Sequence, residues 1–376
     1  MPGAFSVPPP ETQLQHLWEP SSFNRPSALT VNKRGDVALL LRKTEFAVGE
    51  TVLEIGRDGR GMLVDRPSDH IIHSAAQFFS YLAGANGQPT YPYAKVQNFV
   101  QSSDGTAFMT VSAQFSGGYS GDSEATFEYD KTSWRPLSVA SSSIGNKNNW
   151  IAAADGRRNL ALVLNSLIEP PSNVNPDAHQ PQFNNNVICR FVNGRALPLG
   201  SGIATAIVGD YVAGYNISYG LLGDQPREKA TTIALEYIGK RKINLGSGIA
   251  WSVNSSNVVV GDDRHTIDGH GRPTLWAHGR EISLSSTPGS AYAISDDGTV
   301  VGDVATGAFI SRFRDNRVKT ILLDRLLADR SWHVIHAYGL SSNRSIVAVA
   351  SRRGGSAELV RLSAIDSPSV SAARKL

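Results

Sequence analysis

A short hairpin pattern recurs along this chain and constrains the fold more than any other feature. Its clearest copy is GSAYAISDDGTVVGD at 289–303, where an apolar run meets a Ser-Asp-Asp-Gly turn and a second apolar run follows. Gly298 can adopt positive φ without steric cost, so small and β-branched residues around Asp-Gly predict a β-hairpin. About seven copies of this pattern predict an all-β repeat protein.

Each of the first six hairpins is followed by a second pair of predicted strands. In this pair an apolar run ends in a polar, usually basic, turn, as in VICRFVNGRALPLG at 187–200 and IALEYIGKRKINLG at 233–246. Four strands in roughly 40–50 residues are typical of a β-propeller blade. The predicted hairpins span 28–42, 96–114, 150–164, 203–216, 249–263, 289–303 and 337–351.

The seventh unit lacks a fourth strand, and the N-terminus offers a spare one. After AELVRLSA at 357–364 no further turn follows, whereas QLQHLWEP at 13–20 precedes the first hairpin. A closed ring leaves no exposed sheet edge. We therefore expect a seven-bladed β-propeller of four-stranded blades, its last blade closed by the N-terminal strand 13–18. Six or eight blades are the alternatives.

The domain boundaries follow from this closure. We expect an extended tail at 1–12, a single propeller domain at 13–367 with an insertion near 68–92, and a second tail at 368–376. Apolar residues at helical spacing within 68–87 predict a short helix or lid in the insertion, with an irregular loop as the alternative.

Composition narrows the class of protein. Only 18% of residues are charged and the net charge is +3, so no polycation is indicated. The single cysteine, Cys189, excludes an intramolecular disulfide, and its place in a predicted strand indicates a buried thiol. The chain has no apolar run of membrane-spanning length and no secretory signal pattern. We expect a monomer without membrane insertion, cytoplasmic, or extracellular if the sequence has been trimmed.

Three segments carry a family resemblance: GSGIAWSVNSSNVVVG at 246–261, the copy at 289–302, and LWAHG at 275–279. They resemble the HAF family of bacterial repeat proteins. The resemblance implies a propeller and often an extracellular setting. It implies no activity, because the shared glycines form turns and the shared valines form the sheet, which are structural roles.

The loop after the fifth hairpin concentrates ionisable side chains. Asp262 and Asp263 are candidate ligands for a divalent cation, the one cofactor the sequence suggests. The spacing matches no defined metal motif, and a polar hydrogen-bonded loop is the alternative.

The same loop carries residues suited to acid–base chemistry. His265 and His270 can serve as acid and base, with Arg272 as an anion clamp and Asp268 beside them. An enzyme of the lyase, hydrolase or cyclase type using these four residues is the first alternative function.

Aromatic residues gather in the long loops that join second and third strands. Tyr119, Phe183, Tyr215 and Tyr219, with Arg227, are candidate ligand-binding residues. Loops on a rigid scaffold usually carry recognition. We therefore expect a non-catalytic recognition scaffold that binds a small ligand, glycan or protein through the long-loop face and central funnel.

The hairpin turns on the opposite face are basic. Such a rim can attract a polyanion, with nucleic acid as a less favoured partner because no nucleic-acid motif is present. Polyanion binding is the second alternative function. The turn cations are Lys33, Arg34, Arg57, Arg60, Lys131, Arg157, Arg158, Arg195, Lys240, Arg241, Lys242, Arg280, Arg314, Arg317 and Arg344.

Overall fold

The structure is a computed structural model. It describes residues 5–6, 28–31, 37–42, 50–55 and 61–63 and most of 94–364, with gaps at 115–121, 130–133, 138–147, 166–185 and 219–230 and at short turns. The expected insertion near 68–92, its predicted helix and the tail 368–376 lie outside these residues. Within the described ranges, no helix is long and apolar enough to cross a membrane.

Successive strands pair antiparallel into separate four-stranded sheets. A two-residue strand β1 (Phe5–Ser6) comes first in the chain. The first three sheets comprise β2 (Ala28–Val31), β3 (Val37–Arg42), β4 (Glu50–Ile55) and β5 (Gly61–Leu63), then β6 (Ala94–Gln101), β7 (Ala107–Gln114), β8 (Asp122–Tyr129) and β9 (Trp134–Pro136), then β10 (Asn148–Ala154), β11 (Asn159–Asn165), β12 (Asn186–Val192) and β13 (Arg195–Ser201).

The remaining sheets repeat the same order of strands, and a 3₁₀ turn at Leu323–Arg325 precedes the last one. They comprise β14 (Ile203–Val208), β15 (Tyr211–Ser218), β16 (Thr231–Ile238) and β17 (Arg241–Ser247), then β18 (Ile249–Val253), β19 (Val258–Asp262), β20 (Pro273–Ala277) and β21 (Arg280–Ser283), then β22 (Gly289–Ile294), β23 (Thr299–Val304), β24 (Gly307–Arg314) and β25 (Arg317–Leu322), and finally β26 (Trp332–Leu340), β27 (Ile346–Arg352) and β28 (Ala357–Ala364).

The sheets surround an axis, and the first strand of each sheet lies nearest to it. Neighbouring first strands contact one another from β6 through β10, β14, β18 and β22 to β26, and β2 contacts both β6 and β26. This arrangement confirms the all-β propeller. In an antiparallel order of four strands, the turns between first and second and between third and fourth strands share one face, the turn face. The other connections share the opposite face, the loop face.

An N-terminal strand closes the last sheet, as expected, but the segment differs from the predicted one. β28 pairs with β1, through Phe5 with Ala364 and Ser6 with Ser363, whereas the predicted closing residues 13–18 lie outside the described part of the chain. A two-residue pair suffices to cover part of the outer edge of β28. It lies in a proline-rich stretch that shows no strand pattern.

The predicted seven blades of four strands are corrected as well. Side chains are described for six sheets of three or four strands, which run from Ala94 to Ala364 and pack into the ring. Backbone pairing defines β2–β5 as a further sheet, of whose side chains only Val31 is described. Six blades, rather than seven, therefore have a described core.

The core lies between neighbouring sheets. Val301 of one sheet packs with Val334 and Ala348 of the next, and all three are fully buried. Tyr237 likewise packs with Ile188 of the preceding sheet. Close packing of this kind resists deformation, so the ring forms a rigid frame around its axis.

A β-bulge interrupts most of the axial strands at an equivalent position. At this position the register skips one residue in β10, β14, β18, β22 and β26, and β26 has a second skip at Ile335. A bulge re-aims the side chain of the unpaired residue. The residues skipped at this equivalent position are Ala152, Thr205, Trp251, Tyr292 and Tyr338, and all five line the same axial space.

Glycines on the neighbouring strands make room for these bulges. A Cβ on Gly261 would lie 1.9 Å from the carbonyl oxygen of Ile249, and one on Gly302 would lie 2.0 Å from that of Ser290. Only glycine fits such an approach. The Gly-Asp ending of β19 and its counterpart in β23 therefore place an aspartate directly beside each bulge.

The structure confirms that the single cysteine is buried. Cys189 is fully buried, and burial raises the pKa of its thiol to about 12. A thiol in this environment stays protonated and unreactive near neutral pH.

Candidate ligand-binding site at the propeller axis

A cavity of about 520 Å³ follows the axis between the first strands of the sheets. Its walls are largely small or aliphatic, and the bulge residues form part of its lining. Trp251, Tyr292 and Tyr338 occupy one side, whereas Ala152 and Thr205 occupy the equivalent positions elsewhere on the ring. The cavity is therefore asymmetric, with an aromatic side and an open side.

The aromatic side chains form a continuous series, which we call the aromatic arc. Tyr215 and Trp251 have ring centroids 6.3 Å apart, Trp251 and Tyr292 6.3 Å, and Tyr292 and Tyr338 6.1 Å. His336 extends the arc, 5.8 Å from Tyr338. Interplanar angles of 32–56° show that the rings are tilted rather than stacked face to face. Tyr338 keeps 38% of its surface exposed.

Asp262 supports the arc from behind. Its fully buried carboxylate accepts hydrogen bonds from Trp251 Nε1 at 2.9 Å and from Ser290 Oγ at 2.8 Å. Arg264 adds two more, from Nε at 2.5 Å and Nη2 at 2.9 Å. Burial alone would lower the pKa of Arg264, but the hydrogen bonds and charge of Asp262 raise it. The pair is therefore ionised and fixes the indole in place.

Asp303 occupies the equivalent position one sheet later. It ends the same Gly-Asp sequence, and its Oδ2 lies 2.5 Å from His336 Nδ1. His336 immediately precedes the alanine before the bulge, as Ser290 does in the preceding sheet. The two aspartates thus make the same contact between neighbouring sheets, once with a serine hydroxyl and once with an imidazole.

His336 is accessible, whereas its partner is not. The side chain of His336 is 44% exposed, and that of Asp303 is 11% exposed. Because Nδ1 faces the carboxylate, the contact with Asp303 orients the ring and leaves Nε2 as the nitrogen that does not face it. Among the described residues, no hydrogen bond to Nε2 is present.

Tyr292 lies between the two carboxylates. Burial, followed by the negative charges of Asp303 and Asp262, raises the pKa of its phenol, while a hydrogen bond with Ser290 opposes this effect. The phenol therefore remains neutral throughout the physiological range.

The residues proposed from sequence for catalysis lie in the loop that follows β19. His265 and His270 are exposed, and His265 Nδ1 lies 3.4 Å from Ser247 Oγ. Arg272 is 53% exposed and pairs with Asp263 at 2.6 Å. Asp268 lies outside the described residues.

The proposed metal ligands are both engaged by arginine. Asp262 is bound by Arg264 and Asp263 by Arg272. In the part of the chain that the structure describes, no group of three or more His, Cys, Asp or Glu residues is arranged to hold a metal ion. The donors around Asp262 are N–H and O–H groups, which suit an anion and not a cation.

Of the aromatic residues proposed from sequence, Tyr215 belongs to the arc. Tyr119, Phe183, Tyr219 and Arg227 lie outside the described residues.

Sequence inspection missed most of the arc, although a signal was available. Trp251, Tyr292 and Tyr338 each follow an alanine at the same point of their repeat, so alignment of the repeats brings them together. Asp303 aligns with Asp262 in the same way.

Comparison with known proteins leaves the family open. No family model matches the chain, so the HAF resemblance gains no support, and no curated protein matches it. The β-propeller domain of the Trilobed protease from Pyrococcus furiosus is similar in structure, with 11% identity, a TM-score of 0.48, and coverage of 89% of this chain and 94% of that one.

Two further solved structures are similar over most of their length. A Penicillium chrysogenum alpha-L-arabinanase complexed with arabinobiose has 11% identity and a TM-score of 0.40, covering 96% of each chain. The polysaccharide lyase Uly1 has 9% identity and a TM-score of 0.34, covering 97% of this chain and 98% of that one. Similarities this remote carry no argument about the activity of this chain.

Proposed function

We propose that this protein is a recognition scaffold that binds a saccharide at the propeller axis. One observation carries the proposal: aromatic residues occupy the bulge position in three successive sheets, beside aspartates that are already held by hydrogen bonds. From the sequence we expected the protein to bind a small ligand, a glycan or a protein. The geometry of the axial cavity favours a glycan.

The chemistry of the arc suits a neutral sugar. The rings of Trp251, Tyr292 and Tyr338 offer apolar surface for the C–H faces of a pyranose or furanose. The phenols, His336 and backbone groups offer hydrogen bonds to its hydroxyls. The cavity volume of about 520 Å³ lies within the roughly 300–1,000 Å³ typical of small-ligand sites. Asp262 is already neutralised by Arg264, so the site has no strong excess of positive charge for an anion.

Calorimetric titration with a panel of neutral mono- and oligosaccharides tests the proposal. We expect at least one to bind, and Trp251→Ala and Tyr338→Ala each to weaken binding at least tenfold, about 1.4 kcal/mol. Leu197→Ala is the control, because it removes an exposed apolar side chain from an outer strand. Unchanged affinity in both arc variants, with the fold intact by circular dichroism, contradicts the proposal.

A second candidate function is acid–base catalysis on the same bound sugar. It rests on the His336–Asp303 pair, in which a carboxylate orients an exposed imidazole, as a general base requires. His336→Ser preserves the contact between sheets, since serine makes that contact at position 290, but it removes the imidazole.

The catalytic test has a matched control. His333 on the same strand also contacts an aspartate, with Nδ1 2.7 Å from Asp324 Oδ2. If His336 is catalytic, turnover of a bound saccharide falls at least a hundredfold in His336→Ser but not in His333→Gln. The loop residues His265, Asp268, His270 and Arg272 remain a separate proposal, tested by the His265→Ala/His270→Ala variant in the same assay.

A further inference from the structure

An arginine opens the outermost strand in four successive sheets. Arg195, Arg241, Arg280 and Arg317 are the first residues of β13, β17, β21 and β25. Each pairs in register with the last residue of the preceding strand, so the four occupy one structural position. We call this set the arginine row.

The turns place these arginines at the turn face. Each turn contains a residue with positive φ one or two positions before the arginine, namely Gly194, Gly239, Gly279 and Asp315. The tight turn ends at the arginine, which begins the edge strand. All four arginines are exposed, and the neighbouring Lys240 and Lys242 are exposed as well.

The arginine row differs from other arginines of the chain in its pairing. Arg190, Arg264 and Arg272 each form a salt bridge of 2.5–2.6 Å with an aspartate. In contrast, the structure shows no salt bridge within 4.0 Å for any arginine of the row, as far as described residues go. Exposed guanidinium groups without an internal partner remain able to bind an external anion.

Acidic residues on the same face are mostly committed to contacts between sheets. Asp155 Oδ2 accepts from Gly209 N at 2.7 Å, and Asp296 Oδ1 accepts from Ser255 N at 3.0 Å. Asp210 pairs with Arg190 at 2.5 Å. These contacts use the inner turns, next to the axis. The inner turns therefore carry acids that fasten the ring, and the outer turns carry the row of cations, with Glu281 and Asp315 as exposed acids beside Arg280 and Arg317.

We propose that the arginine row binds an acidic polysaccharide, carboxylated or sulfated, that runs across the outer strands. Guanidinium groups match the planar, bidentate geometry of carboxylate and the oxygens of sulfate. A periodic row of cations suits a polymer with periodic charge, and the outer strands β13 and β17, which carry two members of the row, contact each other. This site is separate from the axial one.

A polysaccharide fits this surface better than a nucleic acid does. Single-stranded nucleic acids bind proteins through aromatic side chains that stack on the bases. The large hydrophobic residues exposed among the described residues are Leu197 and Tyr338, and Tyr338 lies at the axis. The arginine row can therefore contact the anionic groups of a polymer, but it has no neighbouring exposed aromatic side chains, among the described residues, on which bases could stack.

Binding to immobilised heparin and to polygalacturonate, measured across salt concentrations, tests the proposal. The variant Arg195→Gln/Arg241→Gln/Arg280→Gln removes three charges from the row. The control Arg325→Gln/Arg330→Gln/Arg352→Gln removes three exposed charges from the loop face. We expect the row variant to bind at least tenfold more weakly at about 0.1 M salt, with a shallower salt dependence, and the control to bind as wild type does.

The outcomes separate the alternatives. Equal loss in both variants indicates a net-charge effect and overturns the proposal, as does binding that neither variant changes. Binding of the wild type to duplex or single-stranded DNA, without binding to either polysaccharide, assigns the row to nucleic acid and also overturns it. Affinity for neutral sugars at the axis should be the same in the row variant and the wild type, so failure of one proposal leaves the other distinguishable.

Discussion

Asp262 shows how a single buried carboxylate organises the site. It receives hydrogen bonds from the indole of Trp251, the hydroxyl of Ser290 and the guanidinium of Arg264. Its removal leaves a partly buried cation and two polar groups without their acceptor. Breaking such a pair typically costs about 3–5 kcal/mol.

We therefore expect Asp262→Ala to lower the free energy of unfolding by about 3 kcal/mol, measured by urea denaturation. Ser290→Ala, which removes a single neutral donor, should cost about 1 kcal/mol. A loss below about 1 kcal/mol in Asp262→Ala would show that the carboxylate does not hold the axis together.

Glu236 provides a test by pH. It is 4% exposed, its Oε1 has no hydrogen-bond partner among the residues that the structure describes, and burial raises its pKa to about 7. A raised carboxyl pKa means that the folded state binds a proton more tightly than the unfolded state does. The associated stability is fully present below the ordinary pKa of 4.5 and is lost as the pH rises through about 7.

Glu236→Gln should consequently raise the free energy of unfolding at pH 8 by about 2 kcal/mol and leave it unchanged at pH 4, where both side chains are neutral. Urea denaturation of the two proteins at each pH measures this. A stabilisation of the same size at both pH values would point to packing instead of charge.

At the scale of the element, the bulged strand and its glycine form a unit. Gly261→Ala places a Cβ 1.9 Å from the Ile249 carbonyl oxygen, so the backbone must shift and carry Trp251 with it. We expect a loss of about 2–3 kcal/mol together with weaker saccharide binding.

Gly279→Ala is the control for this substitution. Gly279 has φ of 74° but nothing within 4 Å of an added Cβ, so its cost is that of the left-handed backbone alone, about 1–2 kcal/mol. Binding should be retained, because the turn is remote from the axis. If both variants bind saccharide equally well, the bulge does not position the arc.

The elements themselves were largely predictable, because turn chemistry is local. Asp155-Gly156 and Ser295–Gly298 connect strands where their sequences indicate, since glycine permits the positive φ that these turns require. The bulges were not predictable from alternation. A bulge inserts one residue into the pleat, so the period of two fails at the residue that enters the axial cavity.

At the scale of the whole molecule, the ring creates a site that no single sheet contains. The aromatic arc, from Tyr215 to Tyr338, needs four neighbouring sheets, and the open side of the cavity is formed by the others. Sequence analysis located Tyr215 and Asp262 but could not assemble the arc, because residues from 215 to 338 meet only after closure. The closing strand was misplaced for a similar reason: pairing of Phe5–Ser6 with β28 depends on the ring and not on local pattern.

The open side of the cavity provides a gain-of-bulk test. Ala152 occupies the bulge position of β10 and lines the cavity, so Ala152→Trp should fill the space opposite the arc. We expect saccharide binding to fall at least tenfold, while the melting temperature changes little because the position is only partly buried. Retained affinity in a folded Ala152→Trp protein would place the binding site elsewhere.

The most direct test of axial recognition is a crystal structure with the tightest-binding neutral saccharide from the titration panel. The axial proposal predicts sugar density inside the cavity, in contact with Trp251, Tyr292 and Tyr338. Density confined to the loops or to the outer strands, with an empty axis, would contradict it.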